Sequence, residues 1–153
     1  MRFLIGVFLV IFTDQISKLW VQNNVDLMES IPVIRGIFHI TYIQNPYSAF
    51  GLLKFHNIIF IVIALLVILV LIFFLRNKIA EKSRLVFFAF IFILGGSLGN
   101  MIDRLRVGSV IDFLDFRIWP IFNIADSAIN IGLLLLLVHF LFKKEEEQDE
   151  EPE

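Results

Sequence analysis

The chain of 153 residues contains no cysteine. That excludes disulfides, Cys-ligated zinc and thiol nucleophiles, and the chain cannot itself be lipidated on a cysteine. Histidine is scarce as well: His39, His56 and His139 stand singly, with no metal-ligand spacing such as H-E-x-x-H. The expectation is no metal and no cofactor. Lys and Arg form no stripe interleaved with aromatics, so nucleic acid is not an expected partner. Ser97 and Ser127 have no nearby His or Lys base on their own segments, which leaves Ser-His and Ser-Lys arrangements without support.

Apolar residues are in excess. They make up 58% of the chain, and the mean hydropathy is +0.84, above the level of ordinary globular domains. A net charge of −2 hides an uneven distribution, because the tail EEEQDEEPE offsets a modest basic excess elsewhere. The length predicts one domain.

Four segments read as transmembrane helices, at about 3–21, 58–75, 85–102 and 121–142. The second is the cleanest: its 18 uninterrupted apolar residues would span roughly 27 Å, enough for the hydrocarbon core. The first begins Arg2 and FLIGVFLVIF, as a cleaved signal peptide would. No small-x-small site follows, and Asp14 and Lys18 at i, i+4 continue the helix. It is therefore expected to be retained. In the third, Gly95, Gly96 and Gly99 should let a neighbouring backbone come close.

The expected fold is an all-α membrane protein of four transmembrane helices with a small extracytoplasmic β-cradle. Segments 23–57 and 103–120 lie outside the membrane on one side. Within the first, 37–45 is rich in β-branched and aromatic residues and reads as strand; the second reads as a partly apolar loop. Four basic residues crowd the 76–84 loop, so that loop and both termini are assigned to the cytoplasm. Domain 1–142 is then followed by an acidic cytoplasmic tail, 143–153, expected to be solvated and disordered.

This layout gathers the intramembrane polarity at one level, near the outer interface. Asp14 and Lys18 lie in the outer half of the first helix, and Ser97, Asn100, Asp103 and Arg104 form a stripe at the outer end of the third. Asn123, Asp126, Ser127 and Asn130 form another at the start of the fourth. Such stripes face a bundle interior, since a charge at mid-membrane costs roughly 2.5–3.5 kcal/mol or more. Asp14 with Lys18, or Asp103 with Arg104 or Arg106, could be plain ion pairs. Asp115 reads as exposed loop paired with Arg117. Asp126 has no basic residue within a helical turn. One carboxylate from the outer loop and one from the top of the last helix, sharing a site, would leave one protonated and one ionised near neutrality. That is aspartic-protease chemistry. A proton-coupled transporter would place its acids near the midplane between repeats, and a non-catalytic lipid-binding or assembly protein would not need two inward polar stripes.

The blocks TDQISK, GGSLGNMIDR, GSVIDF and FNIADSAI, in that order, resemble the signature of the lipoprotein signal peptidases (signal peptidase II). The resemblance implies an intramembrane aspartic endopeptidase that cuts bacterial prolipoproteins just before a diacylglyceryl-modified cysteine. Its implied catalytic pair is Asp112 and Asp126. Asp14, Lys18, Asn45, Asn100, Arg104 and Asn123 are the implied substrate-binding or supporting residues. The expected setting is a monomer in the bacterial cytoplasmic (inner) membrane, in contact with lipid, with its site near the extracytoplasmic face. The family's Asn-x-Gly-Ala-Ala-Phe appears here as Asn45-Pro46-Tyr47-Ser48-Ala49-Phe50. A glycine in that place implies a special backbone geometry or a close approach, which Tyr47 changes.

Overall fold

The computed structural model describes residues 1–46, 62, 65, 66, 68, 69, 73 and 83–149, with side chains followed as far as 142. Most of the expected helix 58–75 and residues 47–50 lie outside the described residues. Helix α1 runs Arg2–Asn24, strand β1 Ser30–Ile34 and strand β2 Phe38–Asn45. Helix α2 follows at Arg84–Val107, then strand β3 at Val110–Asp115 and helix α3 at Ile124–Asp149. Among the described residues three helices, α1, α2 and α3, are long and apolar enough to cross a membrane.

Two expectations are corrected. The 103–120 segment is not loop throughout: α2 continues to Val107, and Val110–Asp115 is the third strand of the sheet. Neither face of VIDFLD is consistently polar, so period-2 alternation gave no signal there. The first part of the acidic tail is helical, because α3 continues to Asp149. Lys, Glu and Gln are good helix formers, and extending an existing helix needs no new nucleus.

Helix α2 is the middle of the bundle, packed against both α1 and α3. Glycines make that approach possible. A Cβ on Gly96 would collide with the carbonyl oxygen of Ala125 on α3, and one on Gly99 would stand 2.6 Å from Asp14 Oδ2 on α1. From α3, Gly132 faces Ala89 O at 2.7 Å in the same way. The buried residues of α1 are Val7, Asp14, Lys18 and Val21, a single stripe at helical spacing. Its other faces expose Leu4, Phe8, Phe12 and Ile16, as a lipid-facing helix should.

The sheet is antiparallel with strand order β1-β2-β3. Pro32 sits in β1, where an edge strand tolerates the missing N–H. Gly36 turns β1 into β2 at φ 75°, and Gly108 ends α2 at φ 78° with its N–H donated to Arg104 O, the left-handed geometry glycine accepts most readily.

Two apolar clusters bracket the polar residues. Val7, Val86, Phe90, Ile91, Ile93 and Leu94 pack within the bundle. Val21, Val25, Tyr42, Ile111 and Phe113 join the end of α1 to the sheet. At about 1.5–3 kcal/mol for each large side chain removed from water, this second cluster holds β3 against the helices. The polar residues of α1 fall between the two clusters.

Candidate active site

Lys18 is fully buried, and so are Asp14 and Asp103. Its ammonium lies 2.8 Å from Asp14 Oδ2 and 2.7 Å from Asp103 Oδ2, and it donates to Asn100 Oδ1 at 3.0 Å. All three of its donors are thereby used. The two carboxylates are satisfied further. Asp14 Oδ1 accepts the backbone N–H of Ala125 at 2.9 Å, so it also neutralises the positive end of α3. Asp103 Oδ2 accepts the N–H of Ile111 at 3.2 Å, tying α2 to β3. Gln15 Nε2 bridges Asp14 Oδ2, Asp103 Oδ1 and Gly99 O at 3.0–3.1 Å. A buried charge group is tolerable only when its remaining lone pairs and protons find partners, and here they do.

This cluster orients two amides. Because Asn100 Oδ1 accepts from Lys18, its NH2 points the other way and donates to Asp126 Oδ1 at 2.7 Å. Asn123 is the N-cap of α3: its Oδ1 accepts the N–H of Asp126, three residues on, at 2.8 Å. Its NH2 is left to donate to Asp112 Oδ1 at 2.7 Å, and to Asn100 Oδ1 and Ile111 O at 3.2 Å each. Asn45 Nδ2, from the end of β2, donates to the other Asp112 oxygen at 2.9 Å. Asp112 is 1% exposed, whereas Asp126 is only half-buried.

Burial is the main force raising the Asp112 pKa, and the neighbouring Asp126 charge adds to it. The amides of Asn45 and Asn123 pull the other way, and the result is about 7. Such a group holds or gives up a proton near neutrality. Arg104 lies beside the pair, its Nη1 donating to Asn100 O at 3.4 Å, and its charge acts on Asp126, Asp112 and Asp103. Among the described residues no group of three or more His, Asp or Glu side chains is placed to hold a metal ion.

All eight residues singled out in the sequence meet here: Asp14, Lys18, Asn45, Asn100, Arg104, Asp112, Asn123 and Asp126. Asn130 does not; it is exposed, one turn too far along α3. Ser127 turns back to its own helix, its Oγ donating to Asn123 O at 3.0 Å. Asp115 is paired with Arg117 as expected, at 3.0 Å, but it is buried at the end of β3 and not exposed in a loop. Asp103 pairs with Lys18, while Arg106 reaches Gln22 Oε1 at 2.6 Å. Gln15 was missed. Its signal was faint, one more polar residue in the run from Thr13 to Lys18.

The sequence matches the family model described as signal peptidase (SPase) II over residues 6–142. It is 45% identical to the lipoprotein signal peptidase of Halothermothrix orenii, across 95% of this chain and 98% of that protein. It is 43% identical to that of Moorella thermoacetica, across 99% and 100%. A solved bacterial membrane enzyme superimposes with a TM-score of 0.90 at 29% identity, covering 99% of this chain and 94% of that one. A second gives 0.83 at 30% identity, covering 92% of each. With two amide-gripped carboxylates, one buried and one half-buried, at the end of a membrane bundle and a match over nearly its full length, this chain belongs to the signal peptidase II family.

Proposed function

We propose that Asp112 and Asp126 are the catalytic pair with which this membrane peptidase removes signal peptides from diacylglyceryl-modified prolipoproteins, cutting before the lipidated cysteine. One observation carries the reading. Asp112 has both oxygens gripped by amides and a pKa near neutrality, beside a second carboxylate held by Asn100. The ionised carboxylate takes a proton from water, which attacks the scissile carbonyl carbon. The protonated carboxyl donates to the carbonyl oxygen as negative charge develops there. The proton then passes to the leaving nitrogen as the C–N bond breaks. Asn100 donates to Asp126 and Asn123 to Asp112, and Lys18 holds the Asn100 amide. Asn45 and Arg104, less buried than Asp112, lie where substrate would meet them.

The test is release of signal peptide from a purified diacylglyceryl-modified prolipoprotein. Its pH dependence should be bell-shaped, with activity falling as pH rises through about 7 because Asp112 then loses the shared proton. On the acid side it should fall as the second carboxylate is protonated. A rate that stays flat from about pH 6 to about pH 9 would remove Asp112 from the chemistry.

The proposal includes the setting. Residues 58–75 supply a fourth span, 1–142 is one peptidase domain, and 143–153 is a cytoplasmic tail. The protein works as a monomer in the cytoplasmic membrane, with both termini inside and the site at the outer face. Three spans among the described residues and the basic 76–84 loop support this. Cysteines introduced singly at Asp26 and Lys82 into this cysteine-free chain should label differently with an impermeant reagent on intact cells. Equal labelling from outside would reverse the orientation.

A further inference from the structure

Strands β2 and β3 change register where the site begins. His39 pairs with Asp115 and Ile40 with Leu114, but Ile43 pairs with Asp112. Two residues of β2, Thr41 and Tyr42, therefore stand opposite Phe113 alone. Such a bulge bends a strand and re-aims the side chains beside it. Phe113 N and Leu114 N both donate to Phe122 O, at 3.0 and 2.8 Å. Tyr42 is bonded on its other side, its N–H to Glu29 O and its carbonyl to Met28 N, at 3.1 and 2.8 Å.

Side chains span the bulge. Thr41 Oγ1 donates to Asp115 Oδ2 at 2.8 Å. It is also 2.7 Å from Ser30 Oγ, which in turn is 3.0 Å from His39 Nδ1. Thr41 and Asp115 are 8% and 4% exposed, so neither has water as an easy substitute partner. Asp115 Oδ1 accepts the N–H of Arg117 at 2.9 Å, and Arg117 sits at φ 65°, a conformation few residues with a side chain adopt. A strained residue persists where its surroundings over-determine it. Burial works to raise the Asp115 pKa, but the hydrogen bonds from Thr41 and Arg117 outweigh it and hold the carboxyl below its ordinary range. It stays an acceptor at neutral pH.

We propose that Thr41 and Asp115 are positioning residues: their buried hydrogen bond fixes the bulge, and the bulge aims the Asp112 carboxylate at the Asn45 and Asn123 amides. This rests on the reading of Asp112 as half of the catalytic pair. A one-residue change of register turns a strand's side chains to the opposite face, so even a partial loosening moves Asp112 off its amides. Misplacing a reacting group by about 1 Å costs on the order of 100-fold.

Thr41→Val keeps the shape and removes the hydroxyl. It should lower kcat by roughly 10- to 100-fold with KM little changed, and Thr41→Ser should restore most of the loss. Register is read separately. In the cysteine-free chain, Gln44→Cys with Ile111→Cys, a register pair, should form a disulfide on mild oxidation. Its yield should drop when Thr41→Val is added. Should Thr41→Val not accumulate in the membrane, Asp115→Leu, which removes the acceptor, carries the same two readouts. A kcat at the parent level, an undiminished disulfide yield, or a Thr41→Ser variant as slow as Thr41→Val would overturn the proposal. The disulfide yield does not depend on turnover, so it judges the bulge even if Asp112→Asn were to show that Asp112 is not catalytic.

Discussion

Asp112→Asn and Asp126→Asn are each expected to lower prolipoprotein cleavage by on the order of 10³-fold or more, in protein that still inserts and folds. The substitution keeps shape and most hydrogen bonding. What it removes is the titratable proton that passes between water, carbonyl oxygen and leaving nitrogen. Asp112 accepts from Asn45 and Asn123, and Asp126 accepts from Asn100. An amide in place of either carboxylate can still accept one such bond, so folding should survive. The double substitution should cost little more than either single one, since groups that act as a unit are not additive. Asp26→Asn, on the exposed turn after α1, is the control and should cleave normally. Turnover near the parent rate in either single variant would defeat the assignment and direct attention to Asp14 and Asp103.

Lys18→Met should give the largest loss of stability of any single change in the bundle. The side chain is fully buried and holds Asp14 and Asp103 at 2.8 and 2.7 Å. Methionine fills similar space but strands two carboxylates without their cation. Breaking a buried charge group in this way costs about 3–5 kcal/mol, which lowers the unfolding midpoint by roughly 10 °C for a chain of this size. Activity should fall as well, because Asn100 loses the bond that fixes its amide orientation. Adding Asp103→Asn to Lys18→Met removes one stranded charge and should recover part of the midpoint. Thermal unfolding in detergent measures both. A Lys18→Met midpoint within a degree or two of the parent would mean that the cluster is not the keystone its geometry implies.

Much of this molecule is legible in one dimension. Transfer of a side chain from water to lipid is a property of that side chain, so the apolar runs around 3–21, 85–102 and 121–142 announce α1, α2 and α3 directly. Helical phase then places Asp14 and Lys18 on one stripe and Asn123 and Asp126 on another. The four ordered blocks carry the family resemblance and, with it, Asp112 and Asp126. Even the need for small residues between helices can be read at Gly96 and Gly99.

The rest is decided by pairs of residues far apart in the chain. Asn45 reaches Asp112 across 67 positions and Lys18 reaches Asn100 across 82. No local pattern encodes which way an amide is turned; Lys18 turns Asn100, and the first turn of α3 turns Asn123. Strand β3 was hidden for a related reason. Val110, Asp112 and Leu114 alternate with Ile111, Phe113 and Asp115, so each face carries both apolar and acidic groups until β2 and the end of α1 bury them. The burial of Asp115, the bridging amide of Gln15 and the bulge at Thr41 follow from that packing. Hydropathy acts residue by residue and so is written in the sequence; register and hydrogen-bond direction exist only between segments, and only the folded chain brings those segments together.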